Sequence, residues 1–123
     1  MQKKKILVVD DEPNIRLLLT RMLGNDYTIL EATDGQEAID LARDLKPDLI
    51  LMDLLMPRMD GYTACSVIKT DPATRGIPVV MLTAVGFELN KQLAEKVGAS
   101  GYITKPFALS DVIKTISPLF SVS

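Results

Sequence analysis

Two hydrophobic patterns alternate along the chain. The first is a short run that is apolar at every position: Ile6 to Val9, Leu49 to Met52 and Val79 to Leu82. Runs of this length, with no polar alternation, predict strands buried on both faces of a sheet inside an α/β domain. The second is an apolar stripe at helical spacing. Ile15, Leu18, Leu19 and Met22 form the first, and Ala38, Leu41, Ala42 and Leu45 the second. Cys65 and Ile68 lie inward on a third, Leu89, Leu93 and Val97 on a fourth (about 87–97), and Leu109, Val112, Ile113 and Ile116 on a fifth. Tyr27 to Glu31, β-branched and aromatic with partial alternation, predicts an edge strand. A last short strand runs through Tyr102 to Thr104.

The punctuation agrees with this division. Pro13 suits a first helical turn, where its missing N–H has no intrahelical partner to lose. Asp34 with Glu37 predicts a capping box, and Asp60 predicts a cap for the helix carrying Cys65. Gly24, Pro47 and Gly98 should close helices, and Pro118 should end or kink the last one. Strand and helix thus alternate five times with short connections, which predicts one parallel sheet with helices on both faces and right-handed crossovers. Acids on the first and third strands favour the order 2-1-3-4-5, with the crevice between strands 1 and 3. The strand ends then bring Asp10, Asp11, Asp53, Thr83 and Lys105 to one edge, where ligands collect in such sheets.

Composition narrows the chemistry. At 123 residues, 47% hydrophobic and 24% charged, the chain has the make-up of a single globular domain and argues against disorder. A net charge of -2 gives no footprint for direct nucleic-acid binding, and Lys3 to Lys5 read as a solvated lead-in to the first strand. The apolar run broken at Asp10 is too short for an export signal or a membrane span, so the expected location is cytoplasmic. The single cysteine, Cys65, excludes an internal disulfide and reads as a small core residue. There is no histidine, so neither a Ser-His-Asp nor a Cys-His apparatus can exist. Chemistry must run on carboxylates, lysine, hydroxyls and a hard cation.

Four segments together resemble one family. Val9 to Glu12, Asp53 to Gly61 with Met56, Pro57, Asp60 and Gly61, the Thr83–Ala84 pair, and Gly101 to Phe107 stand in the order and spacing of the receiver domain of two-component response regulators. The resemblance covers residues 4 to about 117 and implies the flavodoxin-like (βα)5 doubly wound fold, with residues 1–123 as one receiver domain. It implies that Asp53 accepts a phosphoryl group from a phosphohistidine on a partner histidine kinase or phosphotransfer protein. Asp11, Asp53 and the carbonyl of Leu55 would ligate Mg²⁺ directly, and Asp10 through a coordinated water. Thr83 and Lys105 would each receive a phosphoryl oxygen, Pro106 would follow a cis peptide bond, and Tyr102 would be the switch aromatic. The face built by the fourth helix, fifth strand and fifth helix, with Val85, Phe87, Tyr102 and Phe107 near it, would then act on a downstream effector or attached output domain. It is also a candidate for a phosphorylation-dependent dimer.

Physical chemistry supports the scheme. Three carboxylates in one pocket repel one another, and a divalent ion together with Lys105 offsets them. Mg²⁺ suits an all-oxygen donor set and keeps several waters. The reaction is then positioning plus electrostatics, with no turnover of small molecules expected. An aspartate-dependent phosphohydrolase would need a second acid two residues after the nucleophile, where this chain has Leu55. Leu55 and Val85 are apolar and cannot orient water, which predicts slow self-dephosphorylation, and the small Ala84 leaves the phosphoryl group accessible. Two further classes compete, a phosphate-independent binding module and a nucleotide- or flavin-binding domain. The full acidic and basic set argues against the first and the lack of a glycine-rich loop after the first strand against the second. Residues 118–123 are compatible with a chain end or with the start of a linker.

Overall fold

A computed structural model of the chain describes residues 3–83, 92 and 95–120. Five strands form one parallel sheet: β1 (Lys5–Val9), β2 (Thr28–Ala32), β3 (Leu49–Asp53), β4 (Val79–Thr83) and β5 (Gly101–Thr104). Their order is β2-β1-β3-β4-β5, as the sequence predicts. Helices α1 (Pro13–Leu23), α2 (Gly35–Leu45), α3 (Gly61–Thr70) and α4 (Leu109–Phe120) complete the described elements. The helix expected over 87–97 lies largely outside the described residues, as do Ala84, Val85, Phe87, Leu89 and Leu93.

The uniformly apolar strands serve two cores at once, because successive side chains leave a strand on opposite faces. Leu7, Val9, Ile50, Met52, Val79 and Met81 face one side, where Ala38, Ile39 and Ala42 of α2 and Ala64, Cys65 and Ile68 of α3 cover them. Ile6, Val8, Leu49, Leu51, Val80 and Leu82 face the other, beneath Leu19 and Leu23 of α1 and Val112 and Ile116 of α4. All twelve strand side chains are inaccessible to solvent, each stabilising the fold by roughly 2 kcal/mol. That rigid double-sided slab is what fixes the strand ends.

Several local expectations shift. On α1 the inward stripe contains Leu19 and Leu23, with Ile15 and Met22 partly buried, while Leu18 is 40% exposed. Three consecutive leucines, Leu17 to Leu19, hide the helix phase in the sequence, and packing under the sheet settles it on Leu19. Leu45 and Leu109 sit at helix ends and are likewise exposed, whereas Ile39 takes a core place on α2. Asp34 caps α2 by accepting from the Glu37 N–H at 2.9 Å, but the Glu37 carboxylate reaches the Thr33 N–H at 2.6 Å rather than that of Asp34. Asp60 caps α3, accepting from the Thr63 N–H at 2.8 Å. Pro118 does not end α4, which continues to Phe120. Leu119 and Phe120 pack on the core, and the Phe120 ring stacks on Tyr27 at 5.3 Å, which holds the last turn in place.

Candidate functional site

The register of the central strands assembles the acids. Val9 pairs with Met52 across β1 and β3, so the next residues, Asp10 and Asp53, leave the slab side by side. Asp10 is fully buried and Asp53 is 7% exposed, while Asp11 opens to solvent. Carboxylate oxygens of Asp10, Asp11 and Asp53 all lie within 4.8 Å of one another. The cation arrives from the far edge. Thr83 and Thr104 are paired across β4 and β5, and the Lys105 N–H donates to the Thr83 carbonyl at 2.7 Å. Lys105 Nζ then reaches Asp53 Oδ1 at 3.2 Å and Asp10 Oδ2 at 3.3 Å. The second oxygen of Asp10 accepts the Glu12 N–H at 2.9 Å. The peptide between Lys105 and Pro106 is cis.

Charge in this pocket is unevenly compensated. Burial pushes the Asp53 carboxyl above its ordinary value, and the Asp10 carboxylate pushes it further. Lys105 pulls the other way by charge and hydrogen bond without prevailing, and Asp11 adds a smaller upward push. For Lys105, burial alone would lower the ammonium, but the carboxylates of Asp53 and Asp10 outweigh it and hold the group above its usual range. Among the described residues, one ammonium therefore pairs with two of the three clustered carboxylates. The donors are all hard oxygens, with no thiolate or imidazole among them, and that set fits Mg²⁺ rather than a softer ion.

The loop after β3 closes the pocket. Leu54 accepts the Gly61 N–H at 2.9 Å, which folds residues 54–61 back on themselves. A side chain at Gly61 would collide with the Asp53 carbonyl, so only glycine allows this approach. Leu55 is left 77% exposed at the mouth of a cavity of about 190 Å³, which Glu12, Asp53, Tyr62, Leu82 and Lys105 also line. Thr83 is buried at the end of β4, and Tyr102 is 37% exposed on β5. Phe107 packs on the core beneath α4. Met52 is buried, and Met56 and Met59 pack on the α2–α3 side. Cys65 is buried among apolar groups, which pushes its thiol up to about 11 and leaves it inert.

Sequence reading does not single out Tyr62 or Arg16. Tyr62 lines the cavity only because Gly61 lets α3 begin so close to Asp53. Arg16, in the first turn of the first helical segment, reads as a solvated arginine on a helix. Its guanidinium instead donates to the Asp10 carbonyl at 2.8 Å and to Glu31 at 3.1 Å. No short motif announces that contact.

A five-stranded parallel sheet in this order, with acids at the ends of its first and third strands and a lysine after its fifth, defines a receiver-type signalling domain. The model of the response regulator receiver domain matches residues 6–117, and the chain belongs to that family, part of two-component signalling. It is 47% identical over 104 residues to the response regulator PleD of Caulobacter vibrioides, covering 83% of this chain and 23% of PleD. It is 39% identical over 118 residues to RpaA of Synechocystis, a DNA-binding dual master transcriptional regulator, covering 94% of this chain and 48% of RpaA. The chain therefore spans less than half the length of these curated relatives. Among solved structures, the chemotaxis protein CheY4 of Vibrio cholerae superposes with a TM-score of 0.89 at 31% identity, covering 95% of this chain and 98% of CheY4. No helix among the described residues is long and apolar enough to cross a membrane.

Proposed function

We propose that residues 1–123 act as one phosphoacceptor receiver domain, with Asp53 as the acceptor. The observation that carries this reading is a buried Asp53 carboxylate, 3.2 Å from Lys105 and sharing a pocket with Asp10 and Asp11. An oxygen of Asp53 bonds to phosphorus as the bond from phosphorus to a donor imidazole nitrogen breaks, and the nitrogen leaves with that electron pair. These 123 residues contain no histidine, so the donor imidazole lies outside them, on a histidine kinase or phosphotransfer protein. Lys105 stays within reach of the acceptor and pairs with one phosphoryl oxygen. The Thr83 hydroxyl receives another. Asp10, Asp11, Asp53 and the Leu55 carbonyl would hold Mg²⁺, which when bound offsets charge on the transferring group.

The output is a two-state shift biased by phosphorylation. Thr83 moves toward the new oxygens, Tyr102 fills the space released, and the face that includes β5 and α4 presents a changed surface to an effector, an attached output domain or a second copy. The domain performs this self-phosphorylation and its reversal in the cytoplasm without turning over small molecules. Intact-mass measurement after incubation with acetyl phosphate and Mg²⁺ tests the acceptor. One added phosphoryl group is expected on the wild type and none on Asp53→Asn. Equal labelling of the two proteins would overturn the assignment.

A further inference from the structure

Arg16 is joined to the acidic pocket by the main chain rather than by a side chain of the pocket. Its Nη1 donates to the carbonyl oxygen of Asp10 at 2.8 Å, and its Nε donates to Glu31 Oε1 at 3.1 Å. The arginine side chain is only 16% exposed, while Glu31, on edge strand β2, is 50% exposed. The Asp10 N–H is already fixed to the Ala32 carbonyl at 3.2 Å, and Asp10 Oδ1 to the Glu12 N–H. The Asp10 carbonyl belongs to the peptide that leads into Asp11, at the point where the chain quits the sheet and turns toward α1. Asp11 is exposed, so the course of that peptide sets where its carboxylate points.

We propose that Arg16, oriented by Glu31, is a positioning residue for the acidic pocket: it locks the Asp10–Asp11 peptide and so aims the Asp11 carboxylate at the cation position. A hydrogen bond from a charged donor holds a carbonyl more firmly than a neutral one. The flat guanidinium serves both acceptors in one fixed fork, which an ammonium cannot do. The inference rests on the reading of Asp10, Asp11 and Asp53 as a cation site.

At Arg16 a pure charge effect has the opposite sign. Removing a positive charge near an acidic site should tighten a divalent cation, whereas loosening the ligand weakens it. Mn²⁺ titration followed by electron paramagnetic resonance reads the difference, with metal-free thermal midpoints recorded alongside. Arg16→Met is expected to bind Mn²⁺ about tenfold more weakly than the wild type, the scale at which groups supporting a ligand act. Arg16→Lys keeps the charge but not the fork and is expected to recover only part of that loss. Glu31→Gln, a mild change at a half-exposed position, is expected to cost about threefold, and the double variant to be no worse than Arg16→Met alone. Wild-type or tighter affinity in Arg16→Met, or a double variant several-fold weaker than Arg16→Met, overturns the inference and leaves the cation site standing. A wild-type protein that binds no Mn²⁺ overturns the cation site itself.

Discussion

The interior strands and the edge strands of this sheet divide the work of the pocket. β3 and β4 are buried at every residue, and β1 from Ile6 onward, so their ends deliver Asp10, Asp53 and Thr83 with little access to water. Edge strand β5 is half open, and it supplies the cation: Lys105, whose side chain keeps 24% of its surface in solvent, reaches inward on its own stem. Edge strand β2 supplies Glu31, which grips Arg16. Asp10 and Asp53 thus sit where the backbone is hardest to move, and the groups that compensate or orient the acids come from the margin. Burial makes the acids electrostatically costly, and rigidity keeps them from separating to relieve that cost.

That division can be broken from either side. Leu51→Ala, inside β3, should cost about 3 to 5 kcal/mol in denaturant unfolding, as a cavity in a packed core does, yet leave the Mg²⁺ affinity of the folded fraction unchanged. Lys105→Met should lose stability in a way that metal restores. It leaves Asp10 buried without its ammonium and should cost about 2 kcal/mol in the absence of metal, less than a fully dry pair because Lys105 touches water. Saturating Mg²⁺ should recover much of that loss, and a loss that ignores metal would show that the ammonium acts as packing.

Asp53→Asn sharpens the comparison through pH. Because the native state raises the Asp53 carboxyl above its unfolded value, the native state binds that proton more tightly. The stability this contributes is fully present below the ordinary carboxylate range and is lost as pH rises through the raised native value. Asparagine cannot ionise, so metal-free Asp53→Asn should melt higher than the wild type at neutral pH, on the order of a few degrees, with the gap closing in acid. A wild type that melts higher at neutral pH without metal would contradict the charge imbalance. The smallest effect is expected at Leu55, whose exposed side chain carries little stability. Leu55→Asn should change unfolding by less than about 0.5 kcal/mol. It should speed loss of the phosphoryl group by up to about tenfold, less than a true general base supplies, and an unchanged decay would show that water does not approach past this residue.

How much of this could be read in the chain follows the same line between interior and margin. The buried strands are legible because runs such as Leu49 to Met52 admit no other reading beside the turn signals that bound them, and the acids that end the first and third strands mark the pocket. Caps at Asp34 and Asp60 are legible because a single side chain satisfies a single N–H. Helix phase is not legible where leucines run together, as at Leu17 to Leu19, since only the packed sheet chooses among them. Pro118 does not end the helix because a local rule about proline meets a tertiary contact, Phe120 on Tyr27, that holds the turn. Arg16 stays hidden because its partners, Asp10 and Glu31, come together only when β1 and β2 pair.

The central claim is that three carboxylates compensated by one ammonium form a site for a single divalent cation. A Mg²⁺ titration monitored by backbone amide chemical shifts tests it most directly. The account predicts one saturable transition whose largest shifts fall at Asp10, Asp11, Asp53 and Lys105 and which is lost in Asp11→Asn. Shifts spread over the acidic surface without saturation, or a response unaltered by Asp11→Asn, would contradict it.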